Sequence, residues 1–207
     1  MPLIRRDDPK PAAARQPAAD LAALTAALGD PDPDRRWQAA RGLGSDPGAV
    51  PQLAAAFAAE QVPQVREAIM TALLRIGDAG AVAALLPALR VQDAALRASA
   101  IEALQAMPEA TLPFMTALLA DADSDVRILA TELVRNMPAE TATALLSDLL
   151  AREPHPNVCG AAIDVLAEVG TPAAIPALQA CAARFADVAF LRFAASVAID
   201  QISGAEG

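Results

Sequence analysis

The chain has no tyrosine, a single tryptophan, a single histidine and a single lysine, Lys10, and aromatic residues make up only 3% of it. That leaves little for stacking on bases or moving protons, so nucleobase chemistry and acid–base catalysis lose their usual side chains. Two cysteines, Cys159 and Cys181, stand 22 residues apart in apolar helical settings and read as small buried hydrophobes. With His155 they fall short of the closed ligand set a metal needs, so no metal and no cofactor is expected. No run of about 18 apolar residues escapes a charge or a proline, and no membrane insertion is expected. The N-terminal Met-Pro-Leu-Ile-Arg-Arg-Asp-Asp lacks the apolar core of a signal peptide, which points to a cytoplasmic protein. Basic excess is absent too: the formal charge is −9. Residues 1–17 carry +2 and the remainder −11, which disfavours nucleic acid as a partner.

What the chain does have is alanine and a period. Apolar residues make up 55% of it, much of that alanine, the best helix former. With Arg36, Arg66, Arg97, Arg127, Cys159 and Arg192 aligned, the gaps between them are 30, 31, 30, 32 and 33 residues. Three positions after each anchor stand Ala39, Ile69, Ala100, Ala130, Ala162 and Ala195, and seven after stand Leu43, Leu73, Leu104, Val134, Leu166 and Ile199. Eleven after comes a turn-prone residue: Pro47, Gly77, Pro108, Pro138, Gly170 or Ser203. A fixed period of this length is the mark of a solenoid whose units bury their apolar faces against each other.

Each unit reads as two antiparallel helices, with the anchor in the second: the first helices near 18–28, 49–59, 79–90, 110–120, 139–151 and 172–184, the second near 33–43, 63–76, 93–106, 124–136, 156–169 and 187–202. Apolar residues at −1, +3, +4, +7 and +10 from the anchor form one stripe at 100° per residue, as in Leu96, Ala100, Ile101, Leu104 and Met107. Positions +1, +5 and +9 lie opposite that stripe and face solvent or a partner along the whole row. Residues 1–17, with four prolines, have little to bury and read as a disordered tail, with Leu3 and Ile4 as anchors if it docks anywhere. Residues 18–207 form the repeat domain.

The phrases Val65-Arg66-Glu67-Ala68, Asp93-Ala94-Ala95-Leu96-Arg97 and Asp123-Ser124-Asp125-Val126-Arg127 resemble HEAT repeats, of the short kind found in bilin lyase subunits. The resemblance implies a right-handed α-solenoid of six helix pairs whose second helices line the concave side. It also implies a structural ladder in which Asp93, Arg97, Asp123 and Arg127 link adjacent units by hydrogen bonds. The fifth unit departs from the pattern, with His155 and Cys159 in place of the Asp and Arg. Pro154 and Pro156 bracket His155 and set it in a turn, which argues against a His–Cys nucleophile. Asp121, Asp123 and Asp125 alternate like the start of a calcium loop, but Val126 stands where its sixth-position glycine belongs and breaks the pattern.

The concave face is the candidate site. Glu67, Glu102, Glu132, Asp164 and Glu168 fall along its middle, Trp37 and Arg41 at one end, and Phe193 at the other. The expected function is a non-catalytic scaffold or adaptor that holds another protein through a basic or amphipathic segment. The alternative is a bilin lyase-like subunit acting on a tetrapyrrole–protein conjugate. Trp37 has a second reading as a cover for the first unit, as do Phe185, Phe190 and Phe193 for the last.

Overall fold

A computed structural model describes residues 17–204, all helices and connections, with no strand among them. Residues 1–16, with the anchors Leu3 and Ile4, lie outside the described residues. The first helices of the six units are α1 (Pro17–Ala27), α3 (Val50–Ala59), α5 (Ala79–Leu85), α7 (Pro108–Leu118), α9 (Ala139–Arg152) and α11 (Ile175–Arg184). The second helices are α2 (Pro33–Leu43), α4 (Pro63–Ile76), α6 (Ala94–Gln105), α8 (Ser124–Val134), α10 (Pro156–Val169) and α12 (Ala189–Gly204). Each first helix packs on its own second helix, and the second helices stack in an unbroken row from α2 to α12. This is an α-solenoid.

Local chemistry sets the helix ends. Prolines at the first turn open α2, α4, α7 and α10, where a missing N–H costs nothing. Asp32, Asp78, Asp93 and Asp123 cap helix starts by accepting backbone N–H groups. Gly77 ends α4 at φ 68°, a left-handed turn that other residues resist. The third unit breaks the pattern. Its first helix was expected over 79–90, but Pro87 cannot donate to the ladder, and the chain tightens into a 3-10 turn over Leu86–Arg90.

The +3 residues Ala39, Ile69, Ala100, Ala130, Ala162 and Ala195 are all buried, as are the +7 residues from Leu43 to Leu166. Small +3 side chains let neighbouring second helices approach closely. A side chain at Gly44, just past α2, would come within 3.1 Å of the Ala72 backbone on α4. Ile199, the +7 residue of α12, is only half-buried. At +4 the inner helices bury Met70, Thr131 and Ile163, whereas α12 exposes Ser196 there, beside an exposed Arg192.

Junctions between units are held by charge, but not by the expected pairs. Arg127 donates two hydrogen bonds to Glu153 of the next unit, at 2.8 and 2.9 Å. Arg36 binds Glu60 in the same way, at 2.7 and 3.0 Å. Each anchor also reaches the carbonyl six residues before it: Arg36 to Asp30, Arg66 to Glu60, Arg97 to Val91 and Arg127 to Asp121. Among the described residues no side-chain hydrogen bond joins Asp93 to Arg97 or Asp123 to Arg127; the helix ladder alone does, from the Arg N–H to the Asp carbonyl. Asp123 accepts from its own helix at Asp125 N, and Asp93 from Ala95 and Leu96 N. A four-residue spacing puts each Asp at a helix start, where orphan N–H groups claim the carboxylate first. Asp93 still touches the preceding unit, 3.9 Å from Arg66. Asp121 of the calcium-like run is paired with Arg90, so this carboxylate too serves a junction.

Candidate binding face

Positions +1, +5 and +9 emerge on one side of the second-helix row and are mostly exposed. At the N-terminal end Trp37 stays 37% exposed, with the Arg41 guanidinium stacked 4.5 Å from its ring centre. Trp37 and Arg41 on α2 face Glu67 and Thr71 on α4 across an open groove of about 590 Å³ floored by Val65 and Ala68. A cap for the first unit would be buried against α1, whereas Trp37 lines this groove. Its face already carries a cation, so the approach left to a ligand is along the ring edge and over the apolar floor.

The acids do not form the expected unbroken stripe. Arg135, at the end of α8, pairs with Glu132 on its own helix at 3.1 Å and with Glu168 on α10. Two of the five acids therefore share one cation between them. Glu67, Glu102 and Asp164 are exposed and make no ion pair among the described residues. Cross-unit bonds brace the same face: Arg75 donates to Ser45 Oγ at 3.1 Å, and Gln105 to the Glu132 carbonyl at 2.7 Å.

At the far end Phe193 is 72% exposed and Phe190 51%. Spaced three apart on α12, with half-buried Val197 four further on, they form an apolar stripe on the same face as Trp37. Neither is packed over the sixth unit as a cover would be. Sequence reasoning set Phe190 only among possible covers, yet two positions before the anchor is as far from the buried stripe as +5. Gly160 on α10 leaves room for that ring: a side-chain carbon there would sit 3.3 Å from Phe190 Cε2. Leaving the binding face, an apolar hollow of about 530 Å³ opens beside the Pro87 turn, lined by Phe57, Ala84, Ala88, Val91 and Leu96.

No catalytic constellation accompanies this face. His155 is exposed at the start of α10, and the buried Cys159 points its thiol at the Glu153 carbonyl, 3.5 Å away. Among the described residues no three His, Cys, Asp or Glu side chains gather as metal ligands, and no helix is long and apolar enough to cross a membrane.

A row of stacked helix pairs with one exposed, patterned face defines an α-solenoid repeat protein. A family model for HEAT repeats matches residues 21–105 and 111–199, and the chain belongs to the HEAT-repeat family. No curated protein matches it. Among solved structures, an engineered protein shares 20% identity over 89% of this chain and 97% of its own, with a TM-score of 0.41. A designed armadillo repeat protein shares 18% over 88% and 99%, with a TM-score of 0.42. The complex of CpcE and CpcF of phycocyanin lyase from Nostoc sp. PCC7120 shares 22% over 89% and 83%, also at 0.42. Likenesses this distant carry no functional argument.

Proposed function

We propose that this chain is a non-catalytic binding scaffold, working in the cytoplasm, that holds a segment of another protein along its second-helix face. One observation carries the reading: Phe193 and Phe190 stand open to solvent on a face that the interior units fill mostly with polar or small residues. Large exposed apolar side chains ringed by polar ones mark contact surfaces, and aromatic and Arg side chains dominate their energetics. Glu67, Glu102 and Asp164, unpaired between Trp37 and the phenylalanines, favour a segment that carries Lys or Arg together with apolar residues. The two free, buried cysteines suit a reducing compartment.

The test is binding of a labelled amphipathic Leu/Lys peptide, compared with its Leu/Glu counterpart, read by fluorescence anisotropy and by Trp37 emission. The Lys peptide is expected to bind, to weaken as salt rises, and to lose about tenfold in affinity on Phe193→Ala, as for a removed anchor. Equal binding of the two peptides, or a Phe193→Ala variant that binds undiminished, would refute the assignment of this face.

A further inference from the structure

One anchor arginine has no acid at the place where the next unit supplies it. Arg36 and Arg127 each give Nη1 to the carbonyl six residues back. Their Nε and Nη2 then go to a glutamate of the next unit, Glu60 or Glu153. Both glutamates stand six residues before the next position of the anchor row. At the Arg97 junction that place keeps an acid, Asp121, which Arg90 takes. For Arg66 the place holds Val91, whose side chain ends at Cγ and carries no oxygen. Arg66 instead turns Nε and Nη2 onto the Glu60 carbonyl, at 3.3 and 2.8 Å, and its Nη1 makes no hydrogen bond among the described residues. Asp93 lies 3.9 Å from that Nη1 but is committed to the N–H groups of Ala95 and Leu96. The Arg66 side chain is only 16% exposed, the same as Arg36 with its glutamate. A guanidinium so largely desolvated, with no carboxylate on its fork, is a binding group for an anion.

We propose that this junction binds a small organic acid, with an apolar body in the hollow beside the Pro87 turn and a carboxylate on Arg66. Arg66 and Val91 both line that hollow, and its volume of about 530 Å³ is of the size that takes a small molecule. The rest of the wall is apolar: Phe57 from α3, Ala84 from α5, Ala88 from the turn and Leu96 from α6. Small side chains at Ala84 and Ala88 leave the space, and a hydrocarbon body fills it at no cost in lost hydrogen bonds. A peptide segment suits the hollow poorly, because its backbone amides would meet carbon and go unpaired. Glu60 is the one acid on the wall, and its charge is answered. Arg36 and the N–H groups of Gln61 and Val62 hold that carboxylate. On binding, Arg66 takes the pose of Arg36 and Arg127. Its Nη1 goes to the Glu60 carbonyl, while Nε and Nη2 grip the two ligand oxygens. The ligand then closes the junction between the second and third units as Glu60 and Glu153 close theirs. The hollow lies away from the second-helix face, so its occupancy is independent of what docks there.

The experiment titrates the full chain at pH 7 with octanoate, octanol and octylammonium, and follows the Val91 and Leu96 methyl groups by NMR. Octanoate should shift both methyls saturably. Octanol should do so at least about tenfold more weakly, having lost a charge-assisted pair, and octylammonium should leave them unmoved. Arg66→Gln should bring octanoate down to the affinity of octanol and leave octanol unchanged. In Val91→Glu the Leu96 methyls should no longer respond to octanoate, because the new carboxylate takes Arg66. Phe193→Ala, on the other face, should alter none of this. Equal affinity for octanoate and octanol, no saturable shift at Val91 and Leu96, or full octanoate binding by Arg66→Gln or Val91→Glu would each overturn the proposal. So would a response lost in Phe193→Ala. The ligand series is read on the unmutated chain and decides whether or not Arg66→Gln folds.

Discussion

At the scale of single residues, two anchor arginines, Arg36 and Arg127, are held by carboxylates that lie beyond their own unit. Glu153 is buried and receives Arg127 through two hydrogen bonds, while its own backbone carbonyl serves Arg184. Glu153→Ala removes only the carboxylate and leaves the largely buried Arg127 without its charged partner. The expected cost is about 1–3 kcal/mol, or a melting temperature lower by roughly 5 °C for a chain of this size. Asp123→Ala should cost about 1 kcal/mol, the worth of a helix cap, because its carboxylate does no more than that. Thermal melts of both variants check the order. An Asp123 variant that melts below the Glu153 one would restore the ladder expected from the sequence. That expectation came with the family resemblance; here the Asp123 carboxylate is taken by its own helix start, and the partner of Arg127 lies 26 residues on, at Glu153. A legible signal did exist: the residue six before the anchor is acidic in four units, as Asp30, Glu60, Asp121 and Glu153.

Elements were the most legible scale, since helix starts and stops are written in local chemistry. Proline and Asp openings and the Gly77 stop put most second helices within a residue or two of expectation. The exception, the α5 turn at Pro87, had its cause in plain view, but whether a proline kinks a helix or ends it depends on packing that one segment does not contain. Gly160 offers a test at this scale. It interrupts the middle of α10, where glycine costs about 1 kcal/mol relative to alanine. A methyl there meets only the edge of Phe190, a half-exposed ring that can give way. Gly160→Ala should therefore raise stability by somewhat less than 1 kcal/mol in a denaturant titration. A loss of stability would mean that α10 and α12 cannot yield there and that the phenylalanine stripe is fixed by packing. The same substitution at Gly44 meets the Ala72 backbone, which cannot move aside, and should destabilise.

For the molecule as a whole, the long-range pattern of the repeat was readable, but the distribution of charge was not. Sorting acids by helix face found Glu132 and Glu168 and overlooked Arg135, which lies one position away from that stripe yet reaches both. Charge at the junctions also governs how the stack responds to acid. Arg36 and its hydrogen bonds hold the Glu60 carboxyl below the usual range, and Arg90 does the same for Asp121. At Glu153 burial pushes upward, and the Arg127 and His155 N–H hydrogen bonds outweigh it. A carboxylate depressed in the folded state gives stability that is complete above its unfolded value and lost as pH falls through the folded one. Melting temperature should accordingly stay level from about pH 8 to 5.5 and fall below about pH 4.3. Val91 stands where three of the other junctions place an acid, as Glu60, Asp121 and Glu153, so Arg66 has no buried carboxylate to bind. Val91→Glu should supply one, raising the melting temperature at pH 7 by a few degrees, on the order of a charged hydrogen bond. That gain should shrink as pH falls below about 4.3 and disappear only when the new carboxyl is protonated in the folded state as well. A gain that survives at low pH would belong to packing, and no gain at pH 7 would show that Arg66 cannot leave the Glu60 carbonyl to take a carboxylate as Arg36 and Arg127 do.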